Sequence, residues 1–123
     1  MKLTEKNVRV ILKDNAKIEF EKINEIAGEQ AKKGIKNSFE MQLIKSIKTK
    51  INLIKENPFY GDNIKKNQIP LIYKNKVKNM FRVELNNFWR MLYTLRGDEI
   101  EVICFILEIC DHKKYNKIFG YKK

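Results

Sequence analysis

Three alternating apolar runs, separated by two short turns, fill residues 80–109 and constrain this chain more than any other feature. Phe81, Val83 and Leu85 recur at every second position, with Arg82 and Glu84 between them. After Asn86-Asn87 comes Phe88-Trp89-Arg90-Met91-Leu92-Tyr93-Thr94-Leu95. The break Arg96-Gly97-Asp98-Glu99 follows, and then residues 100–109 are almost wholly apolar. A period of two with β-branched and aromatic enrichment, punctuated by Asn-Asn and Gly-Asp, predicts a three-stranded antiparallel meander. An arginine on each of two neighbouring strands can aim positive charge at one place.

Upstream, Val8-Arg9-Val10-Ile11-Leu12 is a short strand candidate. Asp14 or Asn15 offers an N-cap, and Ala16, Phe20, Ile23 and Ala27 mark one face of a helix ending near Gly34. A second helix starts at Asn37 or Ser38, with Ser38 as the cap, and stops before Pro58, because the residue preceding proline avoids helical geometry. Phe39, Leu43, Ile47, Ile51 and Ile54 form its apolar stripe, with Lys45, Lys48 and Lys55 on the wet side. Gly34 makes the connection tight, which predicts a helical hairpin. Its polar faces mix lysines with Glu19, Glu21, Glu25, Glu29 and Glu40, so it reads as scaffold.

If the first strand runs one way and the two helices go back and forth, the next strand runs opposite to the first. All four strands then fit one antiparallel sheet, with the hairpin on one face and the other face open to a ligand. Near the C-terminus, Asp111 can cap a short helix through Ile118 and Phe119 that Gly120 terminates, before Tyr121. The expected fold is therefore a single α+β domain of order β-α-α-β-β-β-α, covering residues 1–123.

Charge narrows the partner. The chain has 26 Lys+Arg against 15 Asp+Glu, a formal net charge of +11. Such an excess favours a polyanion, with nucleic acid first, although abundant Lys, Asn and Ile also fit compositional drift. Its distribution is lopsided in residues 57–79, a loop region punctuated by Pro58, Gly61 and Pro70. After Asp62 no acid appears until Glu84, while Lys65, Lys66, Lys74, Lys76 and Lys78 accumulate among Phe59, Tyr60 and Tyr73. Lysines beside aromatics suit phosphate contact with base stacking; a solvated loop with aromatic anchors is the plainer alternative.

No apolar run resembles a signal peptide or approaches the roughly 18 residues needed to span a bilayer, which predicts a cytoplasmic protein without a membrane partner. Cys104 and Cys110 on one strand would stand about 20 Å apart, too far for a disulfide. With one histidine they make no closed metal site, so they read as small core hydrophobes. No cofactor is expected.

Together, the order of elements and two motifs resemble the RelE/ParE toxin superfamily, and the Ile69-Pro70 loop with the tail Asp111-His112-Lys113-Lys114-Tyr115 … Phe119-Gly120-Tyr121 is most similar to a small subgroup of it. Phe81-Arg82-Val83-Glu84-Leu85 followed by Phe88-Trp89-Arg90-Met91-Leu92-Tyr93 is similar to the family's Y-R-I-x-L … y-R-l-l-Y core. The ending Ile109-Cys110-Asp111-His112-Lys113-Lys114-Tyr115 is similar to its i-g-H-R-r-x-x-Y tail. The resemblance implies a toxin of a type II toxin-antitoxin system. RelE-like members are mRNA endoribonucleases that act in the ribosome and are silenced by a cognate antitoxin. ParE-like members bind gyrase and do not cleave RNA. Carried over, Arg82 takes a cationic place at the start of the meander and Arg90 the arginine of its middle strand. Lys113 or Lys114 takes the basic place after the last strand, and Tyr115 the aromatic hydroxyl beyond it. Glu84 stands where the family often has a second lysine, a departure that makes it either a base or a sign of lost chemistry.

Cleavage by 2′-hydroxyl attack needs a base, an acid, charge for the phosphorane and in-line positioning, and no metal. Arg82 and Arg90 suit the phosphate, Glu84 the base, and Tyr115 or His112 the acid. Lys114 and the five loop lysines suit RNA binding. Each also has a plainer role. Arg90 can pack over Trp89, Glu84 can pair with Arg82 or Arg90, His112 can cap, and Tyr115 and Tyr93 can serve the core. A non-enzymatic member binding gyrase, nucleic acid or a protein, and a stand-alone RNA-binding protein, are the competing expectations.

Overall fold

The computed structural model describes residues 7–97 and 100–120; Asp98 and Glu99 of the expected turn, and Tyr121 of the expected tail, lie outside them. Strand β1 (Asn7–Leu12) leads into helix α1 (Asp14–Lys32), then α2 (Phe39–Glu56). Next come the two-residue strand β2 (Asp62–Asn63) and the one-turn helix α3 (Leu71–Lys74), with a 3-10 turn between them. The meander is β3 (Phe81–Glu84), β4 (Arg90–Gly97) and β5 (Glu101–Cys110), and α4 (His112–Phe119) follows it.

The hairpin forms as its capping residues dictate. Ser38 Oγ accepts from the Met41 backbone N–H at 3.1 Å, so one orphan donor at the α2 start is satisfied. Gly34 takes φ +83, and Ile35 N–H reaches Gln30 O at 3.0 Å, a glycine-terminated helix end. At the other end of α1 the expected cap is not used. Lys13 is the N-cap residue and supplies no side-chain bond, and Asn15 turns its amide to Glu108 instead, at 2.9 Å.

The sheet is five-stranded and mixed, in the order β1-β5-β4-β3-β2. β1 pairs parallel with β5, Asn7 opposite Glu101 through Leu12 opposite Ile106, while the other pairings are antiparallel. This corrects the expectation of four antiparallel strands. The difference is β2, which inserts one more reversal of direction before β3 and so flips the whole meander relative to β1. Two residues without an apolar pattern carry no strand signal. The segment is held at both ends by side chains rather than by its own pattern. Tyr93 Oη donates to Pro58 O at 2.7 Å and accepts from Gly61 N–H at 2.9 Å. Asn79 Oδ1 accepts from Leu95 N–H at 2.8 Å and from Thr94 Oγ1 at 2.9 Å.

One face of the sheet presents Phe81, Val83, Met91, Tyr93, Cys104, Ile106 and Ile109 to Ala16 and Ile23 of α1 and Leu43, Ile44, Ile47 and Ile54 of α2. The other face is not open, contrary to expectation. Leu92, Leu107 and Cys110 pack there with Ile69, Tyr73, Met80 and Tyr115, so α3 and α4 cover much of it. A register shift explains the distribution along β5: Leu92 pairs with Glu108 but Tyr93 with Ile106. The extra residue breaks strict alternation, and so Cys104 and Cys110, six positions apart, lie in opposite cores. Both are free and buried, and burial pushes each thiol up to about 12.

Candidate functional site

Alternation on β3 buries Phe81 and Val83 against the hairpin and turns Arg82 and Glu84 to the opposite face. The antiparallel register sets Arg82 opposite both Asp62 of β2 and Leu92 of β4, and Glu84 opposite Arg90. Asp111 starts α4 by accepting from Lys114 N–H at 2.9 Å, and one turn later Tyr115 comes down onto the same face. Its hydroxyl accepts from Arg82 Nη1 at 3.4 Å, and its ring lies 4.7 Å from the Arg90 guanidinium carbon. Arg82, Arg90 and Tyr115 thus converge, which the spacing along the chain does not itself reveal.

The cluster is electrically balanced. Arg82 Nη2 reaches Asp62 Oδ2 at 3.2 Å, with the two side chains 35% and 73% exposed. Arg90 Nη2 lies 3.9 Å from Glu84 Oε2, with exposures of 18% and 67%. The cations are held and the anions are wet. Pairs of this kind contribute on the order of 1 kcal/mol or less, so the acids are displaceable partners of fixed guanidiniums. The Tyr115 hydroxyl, ahead of Asp62, raises the Arg82 pKa above its ordinary value despite partial burial. The Nε atoms of both arginines are buried without a hydrogen-bond partner.

The plainer roles are also visible. Glu84 is a cross-strand partner of Arg90. Arg90 does stack on an aromatic ring, but the ring is Tyr115; Trp89 instead meets Phe39, ring centroids 6.0 Å apart. Tyr93 is core, and burial raises its hydroxyl to about 12. Tyr115 is buried with its oxygen directed at Arg82, a poor position for releasing a proton to substrate. His112 is exposed at the start of α4, with its ring edge-on to Phe88 at 6.3 Å.

None of the lysines expected at the site joins this cluster, although Lys50 of α2 lines a hollow with Asp62, Arg82 and Glu84. Lys113, Lys114 and Lys117 line a groove with Ile72, Asp111 and Ile118, and Lys114 Nζ is engaged by Glu108 Oε1 at 3.5 Å. Lys76 and Lys78 flank a depression with Thr94, Leu95 and Arg96 at the far end of β4, about 13 Å along the strand from the residue opposite Arg82. Lys66 and Lys74 line a third hollow with Ile69 and Val77, and Lys65 is exposed beside it. The basic loop is a separate surface.

Two residues were missed in the sequence. In the sequence Asp62 is only the last acid before a basic stretch, and its pairing with Arg82 depends on β2. Glu108 was absorbed into an apolar run, yet it is fully buried and accepts from Asn15 Nδ2 and from the Tyr73 hydroxyl. A lone acid inside a strand otherwise wholly apolar was the available signal, since a buried carboxylate needs partners. Among the described residues, no three of His, Cys, Asp or Glu come together as a metal ligand set, and no helix is long and apolar enough to cross a membrane. Comparison with known proteins finds no matching family model, no matching curated protein and no matching solved structure, so the likeness to the RelE/ParE superfamily rests on the motifs quoted above.

Proposed function

We propose that the chain is a RelE-like toxin: a cytoplasmic mRNA endoribonuclease that works with the ribosome and is restrained by an antitoxin protein. The observation that carries this reading is the convergence of Arg82 and Arg90 on Tyr115. Two guanidiniums fixed on adjacent strands suit the two non-bridging oxygens of one phosphodiester. The phosphate would displace Asp62 and Glu84, which are exposed and weakly held. Freed from Arg90, Glu84 is then beside the phosphate and able to take the 2′-hydroxyl proton. The 2′-oxygen attacks phosphorus, the P–O5′ bond breaks, and His112 donates a proton to the leaving 5′-oxygen. His112 serves better than Tyr115 because it is exposed. The arginines stabilise the charge that grows on the phosphorane, commonly the largest catalytic contribution.

A second reading is supported by the same pairs. Both arginines already have carboxylate partners, as fits a member of the fold that binds gyrase, nucleic acid or a protein without cleaving RNA. Purified protein incubated with mRNA and ribosomes separates the two. Cleavage leaving 2′,3′-cyclic phosphate and 5′-hydroxyl ends, lost in Arg82→Ala/Arg90→Ala, supports the enzyme. Intact RNA, together with normal growth on expression of the wild type, sinks it.

A further inference from the structure

The turn joining β3 to β4 holds a residue in a conformation its side chain does not favour. Leu85 N–H donates to Trp89 O at 2.7 Å, and Trp89 N–H donates to Asn86 O at 3.2 Å. Between those bonds Asn87 takes φ +56 and Phe88 takes φ +64. Asparagine tolerates left-handed backbone; a bulky aromatic residue there is an outlier. Such strain is usually offset by burial of the ring, but the Phe88 ring is 73% exposed. Single exposed apolar residues are ordinary on proteins, yet few also occupy left-handed backbone, where Gly or Asn would fit without cost.

The surroundings give this ring a use. Phe88 O accepts from Arg90 Nη1 at 3.2 Å, so the residue that presents the ring also steadies the guanidinium. The ring meets the exposed His112 imidazole edge-on, centroids 6.3 Å apart. On α4, His112 and Tyr115 are three positions apart and share a face, and Tyr115 carries Arg90. An exposed aromatic ring thus stands one step from a half-buried cation, as a base stands beside its phosphate in a single strand.

We propose that Phe88 is a nucleobase-stacking platform, the subsite that receives the base next to the phosphodiester held by Arg82 and Arg90. This inference rests on the RNA-binding reading above and adds to it the residue that takes the base. Aromatic stacking tolerates any base, because each has a π-face. It therefore sets strand position rather than sequence, and it requires the base to be unpaired.

The test is binding of a single-stranded ribo-oligonucleotide of about ten residues, compared with an abasic strand carrying the same phosphates, at one salt concentration. Phe88→Ala is expected to weaken binding of the base-bearing strand by about tenfold and to leave the abasic strand unchanged. Phe88→Trp is expected to retain affinity. Phe88→Gly, which suits the backbone, is expected to raise Tm while binding as poorly as Phe88→Ala. If Phe88→Ala binds the base-bearing strand as tightly as wild type, or weakens both strands alike, the stacking subsite is overturned while RNA binding by the arginines stands. If wild type binds neither strand, the RNA reading falls and the subsite with it.

Discussion

The guanidinium carbon of Arg90 lies 4.7 Å from the centroid of the Tyr115 ring, and the hydroxyl of that ring accepts from Arg82. One phenol therefore orients two cations from different strands, its ring serving one and its oxygen the other. Tyr115→Phe keeps the stack and removes the acceptor, so it should cost about 1 kcal/mol. A cycle combining Arg90→Gln with Tyr115→Leu should show a coupling of about 1 kcal/mol in urea denaturation. A coupling near zero would mean that the ring and the guanidinium are neighbours without an energetic link.

The acids at the cluster are expected to oppose RNA binding while one of them serves the chemistry. Asp62→Asn and Glu84→Gln each free a fixed guanidinium from a wet partner, so both should tighten RNA binding. The slope of log K against log salt should stay that of the wild type, because the same arginines meet the same phosphate once the acids are displaced. Cleavage should separate them: Asp62→Asn stays active, whereas Glu84→Gln binds tightly and does not cut. Equal cleavage by both variants would remove Glu84 as the base and leave it a structural partner of Arg90.

Stability should decline in mild alkali. Burial raises Cys104 and Cys110 from the ordinary thiol value to about 12, and Tyr93 also to about 12; Tyr73 is raised too, by burial first and then by Glu108. A raised folded-state pKa means that the unfolded chain ionises first. The stabilisation is complete below the unfolded thiol value, roughly pH 8.5, and is lost as pH climbs toward 12. Each thiol contributes up to about 1.4 kcal/mol per pH unit across that window. Urea denaturation at pH 8 and pH 11 measures the slope, and Cys104→Ala should flatten it. An unchanged slope would show that the thiols do not set it.

Where the sequence pattern was periodic, the structure follows it. The three meander strands, the Ser38 cap, the Gly34 turn and the Asp111 cap with Gly120 closing α4 are all present. What was not legible depends on partners distant in sequence. β2 is two residues long and exists because Tyr93 and Asn79 pin the segment around it. That one strand reversed the direction of the meander relative to β1 and brought Asp62 to Arg82. The register slip between Leu92 and Tyr93 left no mark in an apolar run, yet it decides which way Leu107 and Glu108 point. Arg82 and Arg90 could be chosen from alternation alone; that Tyr115 would sit beneath both required the position of α4.

Glu108 links α1, α3 and α4 through one buried carboxylate, and the fold should be more sensitive to it than to any surface charge. Oε2 accepts from Asn15 and Tyr73, while Oε1 has no well-directed hydrogen bond and is balanced by Lys114 Nζ at 3.5 Å. Removing the lysine leaves the carboxylate dry and uncompensated, which costs up to about 3 kcal/mol, whereas removing the carboxylate leaves a half-exposed ammonium that water can reach. Glu108→Ala deletes a fully buried side chain that holds the Tyr73 hydroxyl and the Asn15 amide, so the cavity and the lost hydrogen bonds should cost about 2 kcal/mol and lower Tm by about 7 °C. Lys114→Met should cost clearly more than Lys113→Met, since its exposed neighbour has no carboxylate to balance. Adding Glu108→Gln to Lys114→Met should recover part of the loss, because the amide is neutral and still accepts from Asn15 and Tyr73. If Lys114→Met and Lys113→Met melt together, Glu108 is held by its two hydrogen bonds alone and the lysine is free to serve RNA.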